Sequence, residues 1–210
     1  MKSTSTGISG EIVRIKSAIK MKLPFRIPTR VTVRPTKSLE ICPPISAIRR
    51  RILDLGRQIS TDYDGGAVTL IGILKGSFIF LADLIRAISP EIRVEVDFMA
   101  VSSYGDATTT SGTVHIEKDL GISIEGKDVI IVEDIVDTGL TLLHVYNILS
   151  ARGARSLRVA TLLEKPGRSK YDRPLDYVGF RIPDKFVVGF GLDYAQRYRN
   201  LPDIRVLDEI

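Results

Sequence analysis

The sequence predicts an α/β fold with a mostly parallel central sheet flanked by helices. Three observations lead there. Short apolar runs rich in β-branched residues alternate with stretches of helical spacing, and most of these runs end at a polar or glycine-containing turn. After Glu164 the alternation gives way to short strands with no helix between them. Alternating elements of these lengths build right-handed strand–helix–strand units, and such sheets bind ligands beyond the carboxyl ends of their strands.

Taken in order, Ile45, Ile48, Ile52, Leu55 and Ile59 step by three and four along one face of a helix, leaving Arg49, Arg50, Arg51 and Arg57 to solvent or partners. The Asp64-Gly65-Gly66 turn leads into AVTLIGIL, a buried strand. KGS then opens the helix FIFLADLIRAI, which stops at Pro90. IRVEVDFMAVSSY is a strand, Thr113 to Glu117 another and DVIIVEDI a third. Thr141 to Arg152 is a helix ended by Gly153, and SLRVATLL is the next buried strand. DYVGFRI and FVVGFG then predict a small C-terminal lobe above the sheet, over about residues 165–210, rather than a second domain.

A chain of 210 residues accommodates one substantial core. No apolar run approaches the roughly 20 residues that span a bilayer, so no membrane partner is expected. The single cysteine, Cys42, stands before Pro43 and Pro44 with no ligand-type neighbours, which disfavours a disulfide or a metal site and fits a reducing compartment. The net charge of +5 is concentrated at the start, where Met1 to Lys37 holds nine Lys or Arg against Glu11 alone. Three readings of that segment stay open: an organelle transit peptide, an arm for nucleic acid, or an extension upstream of a second start at Met21. Cytoplasmic location is the expectation, with an organelle as the alternative. His115 and His144 show no metal spacing and read as structural.

The most informative stretch is VIIVEDIVDTGLTL, Val129 to Leu142. A buried strand ends in two acids, Glu133 and Asp134, and a third, Asp137, precedes Thr138, Gly139, Leu140 and Thr141. Where a strand turns into a helix, unpaired N–H groups and the helix dipole favour an anion. The hydroxyls of Thr138 and Thr141 add donors, Gly139 permits close backbone approach, and Glu133 and Asp134 suit vicinal sugar hydroxyls. Together these read a ribose 5-phosphate. Residue by residue, a helix cap at Asp137 and exposed loop acids remain the competing reading. There is no GxxxxGK[ST] motif, and GFGLDY matches half of GxGxxG outside any βαβ context, which disfavours kinase and dinucleotide functions.

The stretch resembles the phosphoribosyl-diphosphate signature of the type I phosphoribosyltransferases. From about Arg34 to Ile210 the chain resembles the hypoxanthine-guanine phosphoribosyltransferases, especially bacterial-type members, through LKGS, SSYG, LLEKPGR and IPDKFVVGFGLDYAQRYRNLP. The resemblance implies the type I phosphoribosyltransferase fold with a C-terminal hood, a domain over residues 34–210, and an extension over residues 1–33 that has no counterpart. It implies Asp137 as general base toward the purine. Phosphoribosyl diphosphate would be held by Lys75 and Gly76, after a cis peptide, by Ser103 and Tyr104 of a closing loop, by Glu133, Asp134 and Thr138 to Thr141, and by Arg199. The purine would meet Ile135, Lys165 at its 6-oxo group, Phe186 by stacking, the Val187 backbone and Asp193. Mg²⁺ is the implied cofactor, near Glu133, Asp134 and Asp193, since it binds through few carboxylates plus substrate oxygens. The implied reaction is purine salvage with hypoxanthine and guanine, by a homodimer or homotetramer with no nucleic-acid partner. Two alternatives stay open: a regulator on the same fold that binds nucleotide and nucleic acid, and a transferase for another base.

Overall fold

The structure is a computed structural model and describes residues 32–34, 43–103 and 114–208. Among these residues, nine strands and three helices follow in the order β1 (Thr32–Arg34), α1 (Ile45–Asp62), β2 (Ala67–Leu74), α2 (Phe78–Ala87), β3 (Arg93–Ser103), β4 (Val114–Lys118), β5 (Asp128–Val136), α3 (Leu140–Ser150), β6 (Ser156–Glu164), β7 (Tyr177–Arg181), β8 (Val187–Val188) and β9 (Arg205–Asp208). Six strands form the central sheet in the order β4-β3-β2-β5-β6-β7. All its pairings are parallel except β3 with β4. A smaller antiparallel sheet, β1-β9-β8, makes the hood.

The apolar runs are continuous because both faces of the central sheet are covered. Along β5, Ile130 and Val132 face the core shared with α1 and α2, while Val129 and Ile131 face the core shared with α3. That alternation is the two-residue period of a strand. On α1 the predicted stripe is buried at Ile48, Ile52, Leu55 and Ile59, and each such side chain contributes roughly 1.5–3 kcal/mol of burial. Gly56 lies on the same face, where a Cβ would collide with the Ala87 backbone, so α1 and α2 touch there.

Three differences from the sequence reading have physical causes. Strand β5 runs to Val136, one residue beyond the expected DVIIVEDI, because its parallel pairing with β6 continues through Val136↔Glu164. Strand β7, expected in the C-terminal lobe, is the sixth strand of the central sheet. Its connection from β6 contains no helix, so the sequence lacks the periodic signal that marks a parallel crossover. The hood also draws on Thr32 and Val33, which the sequence placed in the extension, since β1 pairs with β9. Among the described residues no helix is long and apolar enough to cross a membrane.

Candidate active site

A cleft of about 240 Å³ opens beyond the carboxyl ends of β2, β3 and β5, with Ile73 and Val101 on one side and Glu133, Asp134, Asp137 and Thr138 on the other. Because β5 extends past its acids, Glu133 is held in the strand and is only 7% exposed. It is therefore not a solvated loop acid. Burial, reinforced by the neighbouring Asp134 charge, pushes its carboxyl well above the usual carboxylate range. Burial also raises Asp134 to about 6, against the lowering effect of the Ile135 N–H and the Arg199 charge.

The turn that follows is rigid on its protein side. Gly139 adopts φ 70° and occupies the N-cap position of α3. A Cβ there would press on Ser169 Oγ and on Tyr171, so the turn has no space for a side chain. The Lys170 N–H donates to Thr138 O at 2.7 Å, which ties the segment after β6 to the back of the turn. Gly139 and Thr141 line the cleft, while Leu140 begins α3 and is exposed. Asp137 does not cap the helix: its Oδ2 accepts a hydrogen bond from Lys165 Nζ at 2.9 Å.

A second wall comes from the β2–α2 loop. The Leu74–Lys75 peptide is cis and Lys75 is exposed. Gly76 packs so closely on Asp134 that a Cβ would overlap its carboxyl group, and a Cβ on Gly191 would in turn overlap Gly76 O. The loop is thus pressed between the acid pair and the hood. On the hood side, Arg199 donates to Gly191 O at 2.6 Å and pairs with Asp193 Oδ1 at 2.7 Å, while Asp193 Oδ2 accepts from the Gln196 N–H.

Of the predicted base-contacting residues, Lys165 is the one that reaches Asp137. Lys165 is 5% exposed, and its backbone N–H donates to Val136 O at 3.0 Å, so the end of β6 is stitched to the end of β5. Ile135 is half-buried on the β5 edge of the cleft. Val187 is buried in β8, and the exposed Phe186 ring stands perpendicular to the Tyr194 ring with centroids 5.8 Å apart. Tyr104 and the rest of the expected closing loop lie outside the described residues, and Ser103 is described only as the last residue of β3.

Two charged residues at this site were not singled out from sequence. Arg168 Nε lies 3.3 Å from Asp137 Oδ1, and its Nη1 donates to Asp184 Oδ1 at 2.7 Å. Asp184 Oδ1 also accepts from Lys165 Nζ at 3.4 Å. The only signal available was the position of Arg168 three residues after Lys165 and of Asp184 two before Phe186. Nothing in composition or periodicity brings those two positions together.

Among the described residues no three His, Cys, Asp or Glu side chains converge as a protein-only metal cage. Two adjacent carboxylates, both raised by burial, are nevertheless a fitting partial site for a hard cation that takes most of its ligands from substrate and water.

Comparison with known proteins places the chain in a family. The Phosphoribosyl transferase domain family matches residues 44–195. The hypoxanthine phosphoribosyltransferase of Salmonella typhimurium is 50% identical over 177 residues, covering 82% of this chain and 98% of the relative. The hypoxanthine-guanine phosphoribosyltransferase of Bacillus subtilis is 49% identical over 160 residues, covering 76% and 88% respectively. A crystal structure of a hypoxanthine-guanine phosphoribosyltransferase from Bacillus anthracis superposes with a TM-score of 0.77 at 41% identity, covering 85% of this chain and 100% of that one. Shared fold and half-identical sequence over almost the full length of the relatives lead to one conclusion: the chain belongs to the phosphoribosyltransferase family, in its hypoxanthine and hypoxanthine-guanine branch.

Proposed function

We propose that the chain is a purine-salvage enzyme that transfers the 5-phosphoribosyl group of phosphoribosyl diphosphate to hypoxanthine, and also to guanine, forming IMP or GMP and pyrophosphate. The observation that carries this reading is the pairing of Asp137 with buried Lys165 at the mouth of the acid-lined cleft. A phosphate-and-ribose site alone would serve a nucleotide sensor. An acid and an ammonium set side by side next to it suit a 6-oxopurine, whose N7 proton and O6 lie on one edge.

In this reading the purine N9 forms its bond to the anomeric carbon as the bond to pyrophosphate breaks, and Asp137 takes the proton from N7. Lys165 donates to O6, Phe186 stacks on the ring, and Ile135 and the Val187 backbone complete the base contacts. The Thr138–Thr141 turn holds the 5-phosphate. Lys75, Gly76, Ser103, Tyr104 and Arg199 hold the pyrophosphate. Glu133 and Asp134 accept from the ribose hydroxyls and, with Asp193 near the base, would hold Mg²⁺, which when bound neutralises charge on the leaving group. We further assign the transferase domain to residues 34–210, with Thr32 and Val33 of β1 added to its hood, and expect a cytoplasmic homodimer or homotetramer. The regulator reading is not favoured, because the relatives that share half their sequence with this chain are transferases by name.

The test is nucleotide formation from phosphoribosyl diphosphate with Mg²⁺ and hypoxanthine, guanine, xanthine or adenine in turn, beside an Asp137→Asn control. Turnover of 6-oxopurines that collapses in the control is the expected result. Absence of turnover with every base, despite binding of phosphoribosyl diphosphate, would overturn the reading.

A further inference from the structure

We propose that Arg168 and Asp184 are positioning residues that aim Lys165 and Asp137 at the purine; the inference rests on the transferase reading above. Two carboxylates and two cations form a closed ring of alternating charge. Lys165 Nζ meets Asp137 Oδ2 at 2.9 Å and Asp184 Oδ1 at 3.4 Å, and Arg168 meets Asp184 Oδ1 at 2.7 Å and Asp137 Oδ1 at 3.3 Å. Every member touches two others of opposite sign. The four come from three separate segments: the turn after β5, the segment after β6 and the turn before β8.

The ring does two things for the reaction. The Lys165 side chain is only 6% exposed, and a buried cation is tolerated only when it is paired. An ammonium has three donors. Asp137 and Asp184 hold it from two sides, which fixes the direction of the donor left for a base oxygen. With Asp137 alone as partner, the ammonium can rotate about one contact and draw closer to that carboxylate, turning the third donor away.

The second effect concerns Asp137. Its Oδ2 is engaged by Lys165, whereas its Oδ1 is buried with no hydrogen-bond donor among the described residues, because the 3.3 Å contact from Arg168 Nε is not aligned as a hydrogen bond. A buried acceptor without a donor is costly, and one found beside a binding cleft marks where a ligand proton fits. Arg168 supplies charge to that oxygen without occupying it, and Asp184 anchors Arg168 in this position.

The experiment uses the full chain with Mg²⁺, varying hypoxanthine and phosphoribosyl diphosphate separately for wild type, Asp184→Asn, Arg168→Gln, the double variant and Asp184→Glu. Asp184→Asn is expected to raise the KM for hypoxanthine about tenfold while the KM for phosphoribosyl diphosphate stays within about twofold. Arg168→Gln should shift the same constant by less, the double variant should fall short of the product of the singles, and Asp184→Glu should recover part of the loss. An unchanged hypoxanthine KM, or an equal rise in both KM values, overturns the inference. Arg168 is half-exposed on a loop, so its variant decides the matter even where Asp184→Asn fails to fold. A wild type inactive on hypoxanthine sinks the transferase reading itself, whereas an active wild type with unaltered variants sinks only the ring.

Discussion

Gly76 and Asp134 are in such close contact that the glycine has no room for a methyl group: a Cβ would sit on the carboxyl of the acid. What would have to give way is the far end of a side chain, which can rotate. Gly76→Ala should therefore still fold, with a stability loss of roughly 1–3 kcal/mol, yet carry Asp134 displaced from the cleft. Because a misplacement of about 1 Å in a reacting site can cost about a hundredfold in rate, kcat/KM should fall by roughly that factor. Thermal unfolding and steady-state kinetics on the same sample check both halves. A large drop in melting temperature with proportionate loss of activity would show that the contact serves folding instead.

The raised carboxylates predict a pH dependence in the metal-free, ligand-free protein. Asp134 stands at about 6 in the folded chain, against about 3.9 for an ordinary aspartate, so the folded state binds this proton more tightly than the unfolded state. Its contribution to stability is then fully present below about pH 4 and is lost as pH rises through about 6. Glu133 shifts in the same direction, also through burial. Asp134→Asn should match wild type in stability near pH 4 and exceed it above pH 7 by on the order of 2 kcal/mol. Urea unfolding of both proteins across that range, without Mg²⁺, measures the gap. A gap of constant size at all pH values would contradict the assignment of the shift to this pair.

Much of this was legible in the sequence because it is encoded locally. The period of α1, the two-sided apolar run of β5 and the acid-acid-x-x-Asp-Thr-Gly turn each specify their own conformation within a dozen residues, and each stands where expected. The part that was hidden is non-local. Strand β7 joins β6 through a connection without helical period, and the ring of Asp137, Lys165, Arg168 and Asp184 exists only because the turn before β8 comes back to the end of β6. A surface-type Arg and Asp carry no mark of a partner 16 residues away.

Gly139 separates the two halves of the site. With φ 70° and a Cβ position already filled by Ser169 and Tyr171, it accepts no side chain without moving the turn or the segment behind it. In the proposed reading the turn lines the phosphate side and Asp137 with Lys165 the base side, and Lys165 is anchored separately through its N–H to Val136 O. Gly139→Ala should thus raise the KM for phosphoribosyl diphosphate by roughly tenfold or more and that for hypoxanthine far less. Separate titration of the two substrates reads the difference. A larger effect on the hypoxanthine KM would mean that the turn governs the base pocket.

Arg51, one of the α1 arginines left to solvent or partners in the sequence, caps the edge of the central sheet. Its Nε donates to Gly179 O at 3.0 Å and its Nη2 to Val178 O at 2.5 Å, both on β7, the last strand. Unpaired carbonyls on an edge strand are a template for another chain, and a charged side chain laid across them is one way to block it. Arg51→Ala removes charge-assisted hydrogen bonds on a partly buried edge, which places the stability loss at about 1–3 kcal/mol. The site lies at other strand ends, so kcat and both KM values should hold while the protein becomes more prone to concentration-dependent aggregation. Light scattering at rising concentration, beside kinetics on the soluble fraction, tests this. A variant that stays monodisperse and equally stable would show that helix α1 covers the edge without its arginine.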